Sequence, residues 1–261
     1  MNAASIAALA RAGAGITVEV VPETGSTNAD LLARAPALAG PALLIAENQT
    51  AGRGRAGRSW LSSSEHSLTF SLAWKFDGGP QQLSGLPLAV GVALGEALGQ
   101  LGVQVQLKWP NDVLKDGAKL AGILIETQAA PGGGIWAVIG IGLNLVMPDE
   151  MEARLGRSAA GAPWLARMER DVLMAALLDA LAETLRLFAR QGFGAFCARW
   201  NLRHAWQGET VVILDNAASG NPVVLHEGLA AGVDDTGRLL LDTLDGRITV
   251  LAGDVSLRVK T

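Results

Sequence analysis

The chain has almost no cysteine and no stretch with the features of a targeting or membrane segment. Cys197 is the single cysteine among 261 residues, so no disulfide can form within the chain, as is typical of proteins from a reducing compartment. The first fifteen residues lack a basic start followed by a long apolar run, so they do not resemble a signal peptide. No uninterrupted apolar stretch reaches about eighteen residues, which argues against a membrane span. We therefore expect a cytoplasmic protein that does not associate with membranes.

Charged side chains are scarce as well. They make up 18% of the residues against 49% hydrophobic ones, and the formal net charge is −4. Such a chain is too apolar to be disordered and long enough to bury a substantial core. A negative net charge argues against general nucleic-acid binding, which needs a clustered basic surface.

Three common catalytic chemistries lack the residues that they need. There is no Gly-Lys dipeptide, hence no P-loop, and no G-x-S-x-G nucleophile elbow. The three histidines, His66, His204 and His226, are far apart and do not have zinc-like spacing.

Hydrophobic periodicity divides the chain into a mixed region and a β-rich tail. In residues 67–74 the large apolar side chains alternate with small or polar ones, which predicts a strand with two different faces. The other predicted elements are strands at 16–21, 42–47, 113–115, 119–126 and 135–145 and helices at 80–101, 169–190 and 192–205. Short strands separated by Gly/Asp turns follow Gly208 and predict a small β-barrel. We predict an α+β protein with two domains. Residues 1–206 would form a sheet with helices on one face, and residues 207–261 would form the small β-barrel.

Residues 52–57 match G-x-G-x-x-G, the fingerprint of dinucleotide-binding proteins. The fingerprint works only where a helix begins at the glycines and offers its N–H groups to a pyrophosphate. A polar segment and an alternating strand follow here instead, so we reject a Rossmann site. The loop carries Arg53, Arg55 and Arg58. It is either a solvated loop or a mobile clamp for a phosphate-bearing ligand, because guanidinium groups suit phosphate oxygens.

Four further segments each allow a structural and a functional interpretation. Residues 25–28 (GSTN) can cap a helix or present hydroxyls to a polar ligand. Residues 108–112 (KWPND) are a turn signal, but they also supply the cation, aromatic face and carboxylate that ATP with Mg²⁺ needs. Lys119 begins an apolar strand and is either solvated or aimed into a pocket. Glycines inside the strand at 135–145 indicate that something packs closely on its backbone.

Five motifs in a fixed order closely resemble those of biotin–protein ligases. They are GSTN (25–28), ENQTAGRGRAGRSW (47–60), KWPNDVL (108–114), KLAGILIET (119–127) and GIGLNL (140–145). Residues 228–234 and 253–258 resemble that family's small SH3-like domain more loosely. The resemblance implies a class II synthetase-like fold with a mixed or antiparallel central sheet. It also implies an enzyme that converts biotin and ATP to biotinyl-5′-AMP and transfers biotin to a lysine of a biotin carboxyl carrier protein, as in acetyl-CoA carboxylase.

The same resemblance implies roles for individual residues. Lys119, Asp112 and Arg55 would be catalytic, and Asp112 would also bind Mg²⁺. The implied biotin contacts are Ser26, Thr27, Asn28, Gln49, Gly52, Arg53, Gly54, Arg55, Lys119, Gly122, Gly140 and Gly142. The implied ATP contacts are Arg53, Arg55, Arg58, Trp60, Lys108, Asn111, Asp112, Lys119, Asn144 and Arg258. Ala56 departs from the pattern, since some members carry another arginine there, and the loop has correspondingly less positive charge.

Some members of that family carry an N-terminal DNA-binding domain and double as repressors. Here only 24 residues precede Gly25, too few for a winged helix, so we expect an enzyme that does not bind DNA, as a monomer or a homodimer. The alternatives are a lipoate–protein ligase, a non-catalytic biotin-binding protein and, more distantly, a nicotinamide oxidoreductase. The GSTN, KWPND and KLAGIL set favours the biotin branch, and mere biotin binding would not require three arginines beside a nucleotide site.

Overall fold

The structure, a computed structural model, describes residues 1–155, 159–215, 223–253 and 255–260. Its helices are α1 (Ala3–Leu9), α2 (Thr27–Arg34), α3 (Leu86–Gln100), α4 (Asp149–Leu155), α5 (Pro163–Ala166), α6 (Arg170–Gln191) and α7 (Gly194–Asn201). The first seven strands are β1 (Thr17–Thr24), β2 (Ala42–Gln49), β3 (Ser67–Phe76), β4 (Gln106–Lys108), β5 (Asp112–Lys115), β6 (Ala118–Ala129) and β7 (Ile135–Asn144). The last five are β8 (Thr210–Asp215), β9 (Val224–Val233), β10 (Leu239–Thr243), β11 (Gly246–Val250) and β12 (Val255–Val259).

The first seven strands form one mixed sheet in the order β1-β2-β3-β7-β6-β5-β4. Strands β1 and β2 are parallel, because α2 carries the chain back to the same end of the sheet. All other neighbours are antiparallel, and tight turns join β5 to β6 and β6 to β7. Asp116 and Gly117 form the first of these turns with positive φ angles of 51° and 77°, as the Asp-Gly dipeptide predicts.

The two faces of this sheet are covered differently, and β3 shows why. Its large residues, Leu68, Phe70, Leu72 and Trp74, join the main core with α3 and α6, which confirms the predicted alternation. Its other face carries the small or polar residues Thr69, Ser71 and Ala73, and α2 packs there. The prediction of helices on one face therefore holds for α3 and α6, while α2 lies on the opposite face.

The main-core helices follow their apolar periodicity. Leu173, Leu177, Leu181, Leu185 and Phe188 of α6 are all buried, as predicted. Helix α3 begins at Leu86 and not at 80, because residues 80–83 form a separate 3₁₀ turn and Gly85 interrupts the helix with φ +75°. Within the described residues, only Pro80–Gln100 has the length and apolar composition of a membrane span, and 67% of its most apolar window is buried inside the protein.

The last five strands form a second, antiparallel sheet in the order β11-β10-β9-β8-β12. Bulges interrupt the ladders at Ile213/Leu214 and Leu240/Leu241 and bend the strands. In the described part of this region, β11 and β12 remain edges, so the predicted small SH3-like domain is an antiparallel sheet that does not close into a full barrel. Asp254, which belongs to the tail motif at 253–258, lies outside the described residues.

The second sheet packs on the first through the KWPND turn and α7. Trp109 is fully buried, and its Nε1 donates to the carbonyl oxygen of Gly237 at 3.2 Å. Asn201 of α7 donates to and accepts from the backbone of Val233. The second sheet begins at Thr210, whereas the domain boundary at 206/207 stays a prediction. This packing brings β12 next to the loops that carry the sequence motifs of the first sheet.

Candidate active site

Two adjoining pockets lie on the α2 side of the first sheet. Every residue predicted to contact biotin, except Gly52, lines the first pocket. Every residue predicted to contact ATP, except Arg53 and Asn144, lines the second. Gly54, Arg55, Trp60, Asn111 and Lys119 line both, so the two pockets are joined along these residues. Arg53 lines the first pocket, and Asn144 lies behind it, with its Nδ2 donating to the carbonyl oxygen of Lys119 at 3.3 Å.

The far end of the first pocket is a buried polar network at the start of α2. Ser26 caps the helix by accepting from Ala29 N at 3.4 Å, so the capping interpretation of GSTN is correct. The next two residues face the pocket as well, so the functional interpretation is compatible with the cap. Gln49 Oε1 accepts from the backbone N of Thr27 at 2.8 Å and from its Oγ1 at 3.0 Å.

Ser71 and Glu126 complete this network. Ser71 is fully buried, and its Oγ lies 2.7 Å from Thr27 Oγ1 and donates to Asn28 Oδ1 at 2.7 Å. Asn28 Nδ2 in turn donates to Glu126 Oε2 at 2.8 Å. Five polar side chains from α2, β2, β3 and β6 therefore hold one another at the closed end of the pocket.

Glycines form the floor of the first pocket. A Cβ on Gly140 would lie 2.4 Å from Asn28 Oδ1, and a Cβ on Gly142 would lie 2.2 Å from the indole of Trp60. A Cβ on Gly122 would lie 2.9 Å from Lys119 Nζ. A side chain already lies above each of these glycines, which is the close packing that glycines within a strand indicate, although at Gly122 it is the flexible end of Lys119. Gly52 is close to backbone instead, since its Cβ would lie 2.6 Å from the carbonyl oxygen of Trp60.

A carboxylate between two lysines lies where the pockets meet. Asp112 Oδ1 is 2.5 Å from Lys119 Nζ, and its Oδ2 is 3.7 Å from Lys108 Nζ. Lys108 also lies over the ring of Trp206, 4.9 Å from its centroid. The side chains of Lys108, Asp112 and Lys119 are only 12%, 16% and 19% exposed, so their charges are weakly screened by water. Lys108 and Lys119 are therefore better described as cations at a pocket than as solvated surface lysines.

The arginine loop lines both pockets and contacts the KWPND turn and the segment before β12. Arg55 donates to Asn111 Oδ1 at 3.0 Å and also to the carbonyl oxygen of Gly253, which lies between β11 and β12. Arg53 and Ser59 pair as an antiparallel bridge, and Arg55–Gly57 is a single 3₁₀ turn followed by β3. No α-helix begins within residues 52–66, which confirms that the glycine pattern is not a dinucleotide fingerprint. Ala56 has φ +53°, in the region that favours glycine.

Comparison with known proteins identifies the family of this site. Residues 18–144 match the biotin/lipoate A/B protein ligase family, and residues 208–258 match the biotin protein ligase C terminal domain. The biotin–[acetyl-CoA-carboxylase] ligase of Mycobacterium tuberculosis is 38% identical over 249 residues, which cover 91% of this chain and 88% of that protein. The bifunctional ligase/repressor BirA of Escherichia coli is 34% identical over 252 residues, which cover 94% of this chain and 75% of that protein. The chain belongs to the biotin–protein ligase family.

Solved structures of the family share the fold. The biotin protein ligase of Aquifex aeolicus, in complex with biotin and ATP, superposes with a TM-score of 0.75 at 27% identity. The match covers 93% of this chain and 99% of that one, so it includes both sheets.

Sequence motifs missed three polar residues of this biotin–protein ligase site. Ser71 and Thr69 lie on β3, between the recognised motifs, and Glu126 is near the end of the KLAGILIET motif but received no role. Thr69 is 5% exposed and lines the first pocket, and its hydroxyl has no hydrogen-bond partner among the described residues. The signal that could have found Ser71 and Thr69 was the polar half of the alternation in residues 67–74, which places both on the face opposite the core.

Proposed function

We propose that this protein is an ATP-dependent biotin–protein ligase, which activates biotin as biotinyl-5′-AMP and transfers it to a lysine of a biotin carboxyl carrier protein. The observation that supports this most strongly is the position of Lys119. Its ammonium group lies where a pocket with a buried polar end meets a pocket lined by cations. An acid bound in the first pocket and a nucleotide bound in the second would both reach it.

The first pocket suits the shape and polarity of biotin. A ureido ring has N–H donors and one carbonyl acceptor, and the polar end offers hydroxyl oxygens of Thr27 and Ser71 together with the amide of Gln49. The bicyclic ring would lie beside this polar end, and its acid chain would extend toward Lys119.

The second pocket suits the triphosphate of ATP. Arg55, Arg58, Lys108, Lys119 and Arg258 line it. Arg258 belongs to β12, so the second sheet contributes to this pocket. Trp60 lines both pockets and would support the adenine, because an indole face can stack on a base.

Mg²⁺ fits this donor set as an ion held mainly by the nucleotide. No group of three His, Cys, Asp or Glu side chains that could form a protein cage occurs in the described ranges. Of the described residues that line the two pockets, Asp112 is the only acid. Mg²⁺ often binds through one or two carboxylates and substrate phosphates, so Asp112 would supply the protein ligand. The ion would neutralise charge on the phosphates.

The chemistry follows from the need for a better leaving group on biotin. A carboxylate oxygen of biotin attacks the α-phosphorus of ATP, the bond to the β-phosphate oxygen breaks, and pyrophosphate leaves. Lys119 and Arg55 stabilise the negative charge that grows on the α-phosphate oxygens. The carrier lysine then attacks the acyl carbon as a neutral amine and AMP leaves. Asp112 orients Lys119 through their 2.5 Å contact and would receive or direct the proton of the incoming amine.

ATP–pyrophosphate exchange tests the adenylation step directly. Exchange should require biotin, should not occur with lipoate alone, and should fall by roughly 10²–10³ in Lys119→Ala, because one charge-stabilising donor is lost. Lys75→Ala is the matched control, since Lys75 is an exposed lysine of β3 outside both pockets. Exchange that occurs with lipoate and not with biotin would show that the protein is a lipoate–protein ligase. Tight biotin binding without exchange would leave a non-catalytic biotin-binding protein.

We also infer that residues 3–24 have no DNA-binding role, because they form α1 and β1 of the ligase domain itself. Helix α1 packs on α6, and β1 is an edge strand of the first sheet. The oligomeric state stays a prediction. A gel-shift assay with biotin and ATP present should show no specific operator binding, and a specific shift would contradict this.

A further inference from the structure

The amide of Asn28 has a defined orientation, and Glu126 imposes it. A carboxylate can only accept hydrogen bonds, so the group of Asn28 that faces Glu126 Oε2 at 2.8 Å must be its NH₂. The carbonyl oxygen of Leu124, 3.4 Å from the same Nδ2, also accepts and favours the same orientation. The Oδ1 atom of Asn28 therefore faces Ser71.

This orientation determines the direction of the hydrogen bonds beyond it. Ser71 Oγ carries one hydrogen and donates it to Asn28 Oδ1 at 2.7 Å. In the 2.7 Å contact between Ser71 and Thr27, only Thr27 can then be the donor. Gln49 Oε1, 3.0 Å from Thr27 Oγ1, is likewise only an acceptor, so the single Thr27 hydrogen lies between these two acceptors. The hydroxyl hydrogens of Thr27 and Ser71 are thus used within the network, and their oxygens have only lone pairs left for a ligand.

Lone pairs are what the N–H groups of a ureido ring require. If the Asn28 amide were reversed, Ser71 would accept from Asn28 and would donate either to Thr27 Oγ1 or to the ligand, so in both cases fewer lone pairs would remain for the ligand's N–H groups. We propose that Glu126, which does not line the pocket, is a positioning residue that sets the direction of this hydrogen-bond chain and thereby makes the site selective for a ureido ligand. The inference rests on the proposed function, since it assumes that biotin occupies the first pocket.

Substitutions of Glu126 separate hydrogen-bond direction from charge and packing. Glu126→Met keeps the side-chain length but removes the acceptor, and should raise the KM for biotin about tenfold, as expected for one hydrogen bond of a buried network. The KM for ATP and the kcat of exchange should change less than about twofold. Glu126→Gln should retain most of the biotin affinity, because its Oε1 can still accept from Asn28 Nδ2. Gln128→Met, at an exposed position of the same strand, is the matched control and should behave like the wild type.

A swap of the pair tests whether the contact between Asn28 and Glu126 acts on the biotin site. Asn28→Asp places two carboxylates 2.8 Å apart and should raise the KM for biotin well beyond tenfold. In Asn28→Asp/Glu126→Gln, the new glutamine can donate to the carboxylate at position 28, which still accepts from Ser71. The repulsion is then relieved while Ser71 still donates to position 28, so much of the loss should be recovered. A purely structural role for Glu126 predicts instead that Glu126→Met and Glu126→Gln lose similar biotin affinity.

The outcomes distinguish this inference from the proposed function. Biotin-dependent exchange in the wild type, with an unchanged KM for biotin in Glu126→Met, would overturn the inference and leave the function intact. A double variant no better than Asn28→Asp would overturn it as well. Absence of biotin-dependent exchange in the wild type would overturn the proposed function, and the inference with it.

Discussion

Gly142→Ala should disable the site through one misplaced side chain. The new Cβ would lie 2.2 Å from Cε2 and 2.3 Å from Cζ2 of Trp60, whereas non-bonded carbon atoms pack at about 3.5–4.0 Å. The indole therefore has to move by about 1.5 Å. The backbone N of Trp60 donates to the carbonyl oxygen of Gly52 at 2.9 Å, so the ring has to move and the backbone does not. Because Trp60 lines both pockets, this movement changes the shape of both.

The expected loss of activity follows from how sensitive a reaction rate is to the position of the groups around the substrate. A shift of about 1 Å in a positioning group can lower the rate roughly 10²-fold. We therefore expect kcat/KM for biotin-dependent ATP–pyrophosphate exchange to fall by about that factor. Gly91→Ala is the control, because Gly91 lies within α3 and its Cβ would come no closer than 3.5 Å to the side chain of Leu107. Its activity should be that of the wild type.

A double-mutant cycle identifies the clash as the cause. In a Trp60→Ala background the ring is gone, so adding Gly142→Ala should cost little further activity. Exchange in Gly142→Ala within threefold of the wild type would show that the indole is not held over this glycine. An equally large loss in the Trp60→Ala background would show that the added methyl group acts on something else.

Three further predictions concern the pocket wall, the core and the loop. Thr69→Val removes a buried hydroxyl that lines the first pocket and has no partner among the described residues. The unfolding free energy of the ligand-free protein should rise by about 1 kcal/mol, and biotin should bind several-fold more weakly. Calorimetry that shows neither change would refute a role for Thr69 in the first pocket. Burial lowers the pKa of His204, which is 6% exposed, below its ordinary value of 6.5. Protonation therefore favours the unfolded state: stability is fully present above about pH 6.5 and is lost as the pH falls below it. This acid loss, measured by urea unfolding from pH 8 to 5, should be smaller in His204→Asn, and an unchanged slope would contradict it. The loop at 48–59, with Arg53 and Arg58 exposed, should be cut by trypsin more slowly when biotin and ATP are bound, and equal rates would argue against a mobile clamp.

Much of the fold could be predicted because the strands and long helices have clear periodicity. The alternation in β3 and the repeat in α6 locate the main core, and the motif order places nearly all the predicted contacts around two joined pockets. The roles of those residues stay predictions, as does the cytoplasmic location. Asp112 between two lysines could not be derived from spacing, because Lys119 reaches it only through the pairing of β5 with β6.

What the sequence did not predict depends on contacts between distant segments. The parallel pairing of β1 with β2 and the opposite position of α2 arise from packing that no local pattern specifies. Helix α1 was missed because it is short, and only Ile6 of it is buried. Ser71 and Glu126 were missed because their partners, Thr27 and Asn28, are 44 and 98 residues away in the chain.

The glycine floor has a consequence for how the substrate range of this protein can diverge. Three of its positions, Gly122, Gly140 and Gly142, have no free space for even one added carbon. A side chain at Gly140 or Gly142 would have to displace an amide held in the polar network or an indole, whereas at Gly122 only the flexible end of Lys119 would have to move. We therefore expect a change of acid substrate to require substitutions in α2 or in the loop at 48–59, whose side chains form the rest of the pocket, and not at Gly140 or Gly142.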